Sequence, residues 1–440
     1  MTAHLREHVL ESATPYVQAD GRVAVPVSAY FGIARLNAPS TSVPRPLKRA
    51  REEGAGREAP AAHIIAVTSA SEPQLRDRSG DNKPELRRAL ILDRLHDVGC
   101  SIHWVRPDQG TALRRAIGKA DEDIFGRVLT QEKLDLFETV HARFQADPAP
   151  DTSFLSEETD DRNGLVPYFF TRRRACVDEP VERRLAWHAT DALTPIFPDL
   201  VRILQCDAAV CASAVNLLSS FFPKHFGIAD VAESRPSVPP TVFAVTTHPG
   251  HHATPDRYGG YCFFNNAVFI CHLLKARGLQ PFVVDVDYHA GDGTADSLGR
   301  GRGDCMDASG SAAREVAKLM VSLHAPSDYP FLPASLPWAI EVPPAAAWRE
   351  YEELLREAIR RRPSQASVLV LSLGFDTLAG DPDARESHRF GLQPSDFGRM
   401  RLILEECGLP IIAVQEGGYH LTEIPSAAEA FVCAARPEGT

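Results

Sequence analysis

Four apolar runs in this 440-residue chain end in clusters of the residue types that bind metals and move protons. TVFAVTT leads into His248-Pro249-Gly250-His251-His252, and PFVV into Asp285-Val286-Asp287-Tyr288-His289-Ala290-Gly291-Asp292-Gly293. SVLVLSL leads into Gly374-Phe375-Asp376, and PIIAVQ into Glu416-Gly417-Gly418-Tyr419. In an extended chain residues i, i+2 and i+4 share a side, so Asp285, Asp287 and His289 are expected to face together. With Asp376 from another strand end they form a donor set for a divalent ion, and His and Asp ligands suit zinc with an open position. A lone Asp-x-Asp-x-His also reads as strand-end solvation or a calcium-like loop; the company of Asp376 and the paired histidines favours the metal. His251 and His252 suit proton transfer, because imidazole titrates nearest neutrality, with Asp285 and Asp292 available to orient them. Tyr419, behind two glycines that permit a tight turn, can place a phenol beside a polarised carbonyl. Together these types describe a metal site with proton-transfer groups beside it.

Such a site needs a scaffold that gathers strand ends. The strand expectations are AHIIAV (62–67), TVFAVTT (241–247), PFVVDVD (281–287), SVLVLSL (367–373) and PIIAVQ (410–415), and helices are expected over 84–99, 266–277, 346–362 and 395–407. Alternating strands and helices predict an α/β fold, doubly wound, with a mainly parallel sheet and helices on both faces. In such sheets ligands bind outside the carboxyl ends of the strands. A single catalytic domain is expected over 62–440. Residues 1–61 read as an extension and a Pro- and charge-rich linker, and 300–319 as a surface insertion.

Composition sets outer limits. With 44% hydrophobic residues the chain can bury a sizeable core, and a formal charge of −11 gives no electrostatic reason to hold nucleic acid. No apolar leader is evident at the N-terminus, and no run of about 18 apolar residues argues for a membrane span, so an intracellular protein is expected. The short basic run Lys48-Arg49-Ala50-Arg51 reads as linker charge or as a nuclear address, leaving cytoplasm and nucleus both open. Nine cysteines without a CxxC pair argue against a disulfide framework and against a cysteine-based zinc module.

Taken in order, PGHHA (249–253), GGYCFFNN (259–266), DVDYHAGDGT (285–294), SLH (322–324), SLGFDTLAGDP (372–382) and QEGGY (415–419) resemble the zinc-dependent histone deacetylase and acetylpolyamine amidohydrolase family, of arginase-deacetylase fold, on its class II-like side. NKPELRRALILDRL (82–95) is similar to the family's N-terminal helix signature, with Asn82-Lys83 in place of His-Pro. The resemblance implies one zinc per chain on Asp287, His289 and Asp376, the pairs His251–Asp285 and His252–Asp292, and Tyr419 as transition-state hydrogen-bond donor. It also implies a structural potassium on the side chains of Asp285, Asp287, His289 and Ser322 and the carbonyl of Leu323, and an acyl tunnel walled by Gly260, Tyr261 and Leu332. The related arginases use two manganese ions and need further bridging carboxylates. Asp376 is followed by Thr377 and Leu378, which favours the mononuclear deacetylase.

Departures from the pattern concern substrate more than chemistry. Thr247-His248 stands where Arg-Pro often precedes PGHHA, and Ala290 replaces the second of two histidines. Asp383 follows the AGDP motif where many lysine deacetylases carry an apolar residue, and reads either as a carboxylate that favours a cationic chain or as part of the solvated run DPDARESHR. From the resemblance the expected substrate is an acetyl-lysine protein such as a histone, with an acetylated polyamine or small acetylated metabolite as the alternative to which Asp383 points. An inactive acyl-amine binding scaffold would have lost a ligand or the tyrosine, and none is lost. The long segment 206–242 is able to support a homodimer.

Overall fold

Aliphatic, β-branched runs without polar alternation belong to strands buried on both faces, which a parallel sheet covered by helices provides. The computed structural model describes residues 64–69, 83–105, 123–146, 178–226, 238–300 and 306–434, with short stretches at 16–17, 22–24, 155, 164–167 and 169–171. Its strands are β1 Tyr16–Val17, β2 Arg22–Ala24, β3 Ile64–Ser69, β4 Ser101–Val105, β5 Phe169–Thr171, β6 Thr241–Ala244, β7 Pro281–Asp285, β8 Met320–His324, β9 Ala339–Glu341, β10 Val368–Leu373 and β11 Ile411–Gln415. Eight of them form one sheet in the order β4-β3-β6-β11-β10-β7-β8-β9, each neighbouring pair parallel. β1, β2 and β5 pair separately and antiparallel.

The helices are α1 Pro84–Asp97, α2 Gln131–Ala146, α3 Val181–His188, α4 Leu200–Leu217, α5 Asn266–Ala276, α6 Asp292–Gly299, α7 Ser311–Val316, α8 Trp348–Arg360, α9 Pro394–Glu405 and α10 Ile424–Cys433. Alternate residues of each strand feed opposite cores. Val368 and Val370 of β10 pack with α2 to α5, whereas Leu369 and Leu371 pack with α1, α8, α9 and α10. Local chemistry sets the helix ends. Pro84 opens α1 and Gly99, at φ +77°, follows its end. Asn265 caps α5 by accepting the Val268 N–H at 3.0 Å, and Gln393 with Asp396 forms a capping box on α9. α4 matches a membrane span in length and apolarity, but most of it is buried inside the domain as a core helix.

The segment expected as a surface insertion is only partly superficial. Residues 306–319 include α7, whose Ala313 and Val316 join the hydrophobic core, because the chain must cross back from β7 to β8 there. Residues 301–305 of that segment, the 36–62 linker and its basic run lie outside the described residues. The strands expected to reach Thr247 and Asp287 stop at Ala244 and Asp285. Beyond each, side chains take over the backbone. Asp207 of α4 accepts the N–H groups of Thr247 and His248 at 2.8 and 3.2 Å, while Asp285 and Asp287 accept the N–H two residues on, at 3.1 and 2.9 Å. Those bonds curl the chain out of the sheet.

Candidate active site and metal centre

Because β6, β11, β10 and β7 are consecutive neighbours and all parallel, the four polar clusters emerge side by side at one edge of the sheet. Register completes the alignment. Leu373 lies opposite Gln415, Ser372 opposite Asp285, and Asp285 opposite Ser322. Asp287, His289 and Asp376 each offer a ligand atom, and these atoms lie within 4.8 Å of one another. His289 Nδ1 is 3.4 Å from Asp287 Oδ1 and 3.2 Å from Asp376 Oδ2.

The donor set fits a divalent cation by its own charge. Asp285, Asp287 and Asp376 are fully buried, and burial together with the Asp287 charge pushes the Asp376 carboxyl far above the usual range. A cation between Asp287 and Asp376 removes that repulsion. The outer oxygens are already tied: the N–H groups of Tyr288 and Gly417 donate to Asp376 Oδ1 and Asp287 Oδ2 at 2.9 and 2.8 Å. One imidazole nitrogen and two carboxylate oxygens, rather than thiolates, make zinc a suitable ion.

Gly417 is required by this packing. A Cβ placed there would overlap the Asp376 carboxylate and lie 2.7 Å from Asp287 Oδ2. Gly417→Ala is therefore expected to splay the two carboxylates and weaken metal binding by about 10–100-fold, the usual effect of disturbing a ligand's support. Metal stoichiometry after dialysis against a chelator series measures it; retention equal to the unaltered protein would contradict the geometry.

The two histidines stand side by side, ring centroids 4.0 Å apart, in different electrostatic settings. His251 Nδ1 lies 3.2 Å from Asp285 Oδ2, and its Nε2 3.5 Å from Asp287 Oδ1. Burial works against its charge, but Asp287 and Asp285 outweigh burial and hold this imidazole up at about 10. His252 Nδ1 pairs with Asp292 Oδ1 at 2.6 Å, and burial followed by the neighbouring His251 pushes it down to about 4. The carboxylates thus favour charge on His251, whereas burial and the neighbouring ring disfavour it on His252. With Nδ1–H donated to Asp292, His252 keeps Nε2 as a base.

Tyr419 closes the cleft. Its N–H donates to Asp381 Oδ2 at 2.6 Å, its ring packs 5.7 Å from that of Tyr261, and the buried Arg87 guanidinium lies 4.6 Å from its ring centroid. Arg87 also donates to the Glu416 carbonyl at 2.6 Å. Burial raises the phenol well above its ordinary value, so it is a neutral O–H donor.

Residues 167–435 match the histone deacetylase domain, more than half of the chain. The chain belongs to the histone deacetylase family. This deacetylase is 31% identical over 278 residues to acetylpolyamine amidohydrolase 2 of Pseudomonas aeruginosa, covering 59% of this chain and 70% of that one. It is 32% identical over 211 residues to acetylpolyamine amidohydrolase of Burkholderia pseudomallei, covering 44% and 55%. The crystal structure of acetylpolyamine aminohydrolase from Burkholderia pseudomallei shares its fold, with a TM-score of 0.60 at 22% identity over 84% of this chain and 97% of that one. The matched stretch includes Asp287, His289, Asp376, His251, His252 and Tyr419.

On the tunnel wall the structure divides the expected residues. Gly260, at φ +56°, sits where a Cβ would overlap the His252 ring and lie 3.1 Å from Tyr329 Cε1, so both its conformation and its space demand glycine. Tyr261 faces Tyr419. Leu332 is partly buried and packs against the hydrophobic core, and Tyr329 stands beside the histidines, its ring 4.8 Å from that of His252 and 6.2 Å from that of His289. Sequence reasoning missed Tyr329 and Asp191, and gave no role to Arg87 or to Glu416 of the fourth polar cluster. Asp191 receives the Gly260 N–H and bonds Thr194 Oγ1 at 2.8 Å, while Thr194 accepts the Tyr261 N–H at 2.9 Å. Glu416 Oε2 accepts the N–H groups of Gly250 and His251 at 2.5 and 3.1 Å, fixing the turn before the histidines.

Proposed function

We propose that the chain hydrolyses the acetyl amide of a cationic acetylated amine of the polyamine type, in preference to acetyl-lysine in a folded protein. When bound, a zinc ion held by Asp287, His289 and Asp376 supplies Lewis acidity to the amide carbonyl and to the attacking water. His252 takes the proton from that water, and its imidazolium then protonates the leaving amine. Tyr419 donates its phenolic hydrogen to the developing oxyanion, and cationic His251 adds positive potential to the same pocket. A monovalent cation beside the metal is supported by Asp285, Asp287, His289, Ser322 and Leu323, since β7 and β8 bring Asp285 level with Ser322 and the Gly291 N–H donates to Ser322 Oγ at 3.2 Å.

Asp383 carries the substrate reading. It is exposed, its N–H donates to Asp381 Oδ1 at 3.0 Å, and its charge acts on both His289 and Tyr419, so a carboxylate stands beside the catalytic cleft. Desolvation, opposed by His289, pushes its carboxyl up to about 6; it is mostly ionised at pH 7, and the solvent reaching it acts in the same direction. The two relatives with acetylpolyamine amidohydrolase names agree with this choice. Asp383→Leu is expected to lower kcat/KM for N8-acetylspermidine by roughly 5–10-fold, the size of one partly screened charge contact, with little change for an acetyl-lysine peptide. The selectivity of the unaltered protein should fade as pH falls below about 6, as Asp383 takes up a proton. Equal losses on both substrates would remove the polyamine assignment and leave the acetyl-lysine one.

A further inference from the structure

Lys133 is the one fully buried lysine among the described residues. It lies in α2, before the residues that match the family domain. Its Nζ donates to the carbonyls of Thr254, Arg257 and Phe263, at 2.6, 3.0 and 3.0 Å. Three acceptors use all three hydrogens of an ammonium. Their placement along the chain matters more than their number. Thr254 and Arg257 lie on the arm leaving the histidine pair, Phe263 on the arm that returns, and between them run Gly259, Gly260 and Tyr261. One side chain therefore ties both arms of the turn that forms the substrate wall.

We propose that Lys133 is a positioning residue for deacetylation, holding the 254–263 turn so that Gly260 and Tyr261 stay against His252 and Tyr419. It touches no reacting atom. The surrounding contacts hold the same turn: the Thr130 N–H donates to the Pro255 carbonyl at 2.9 Å, His188 Nδ1 bonds the Asp256 carbonyl at 2.5 Å, and the Tyr258 N–H donates to the His188 carbonyl at 2.8 Å. α2 and α3 thus grip the turn from beneath, with Lys133 the only side chain in these contacts that spans both arms. Burial pulls the ammonium down to about 7, with Asp256 opposing that shift, Arg300 adding to it and Cys262 opposing it. A neutral amine has two hydrogens for three carbonyls, which would leave one of them unmet.

The proposal rests on the deacetylase reading for its kinetic arm only. Zinc-loaded K133M and K133Q are compared with the unaltered protein by amide hydrogen exchange and by turnover of N8-acetylspermidine. In K133M, peptides covering 254–263 should exchange at least tenfold faster while those of α9 are unchanged, and kcat/KM should fall at least tenfold, mostly through KM. K133Q, which keeps two donors, should fall between. If K133M does not fold, the same readings on K133Q decide. Unchanged exchange in 254–263, exchange that rises equally in α9, or kcat/KM within twofold of the unaltered protein in a folded, metal-loaded variant would overturn it. Should no substrate turn over in any form, the exchange result still judges Lys133, and the functional reading fails separately.

Discussion

Tyr419→Phe is expected to lower kcat by about 10²–10³-fold, the usual effect of losing one oxyanion donor, with metal content unchanged. The substitution is informative because it removes so little. Phe keeps the ring that packs on Tyr261 and under Arg87, and the backbone bond to Asp381 is untouched. Only the O–H is lost, and burial keeps that hydroxyl protonated across the working pH range. An interaction made mainly in the transition state lowers kcat and kcat/KM together while leaving KM nearly constant. Steady-state kinetics with metal analysis measure it, and undiminished turnover with zinc in place would sink the mechanism.

His252→Ala should cost about 10²–10⁴-fold in kcat, the range for a lost general base. His251→Ala should cost less. The reason lies in what each ring faces. Asp287 and Asp285 hold His251 charged, so its contribution is a field, whereas His252 is kept neutral by burial and by His251 and can accept a proton. The sign of the pH dependence follows. His252 is pushed down to about 4, so kcat/KM should be present above that pH and be lost as pH falls through it. Larger damage from His251→Ala than from His252→Ala, at equal zinc content, would exchange the two roles.

Much of this site is legible before any coordinates because its ligands follow buried strands, where long aliphatic runs and sudden polar residues are unmistakable. β7, β10 and β11 lie within a residue or two of their expected bounds, and so do α5, α8 and α9. The ligands themselves stand on turns that their own carboxylates shape, so the same-side argument reached the right grouping by way of an extended strand that stops at Asp285. Other features have no local signature. β8 is five residues after a glycine- and charge-rich stretch, and it becomes a strand because β7 and β9 flank it. Tyr329 reads as one aromatic in a proline-rich loop, and its place beside His252 comes from tertiary packing. Lys133 sits in a helix full of charged residues, and only the distant carbonyls reveal why this one is buried.

The last strand of the main sheet in sequence is central in space. β11 slots between β6 and β10, with some 170 residues between β6 and itself. Until Ile411–Gln415 has left the ribosome, β6 and β10 have no common neighbour, and each shows an unpaired edge. The main sheet is therefore completed by an insertion rather than an addition. Nascent chains stalled before that point should bind chaperones avidly, and no shorter fragment can assemble partial activity, because the strand that supplies Gly417 and Tyr419 is also the one that joins the two halves of the sheet.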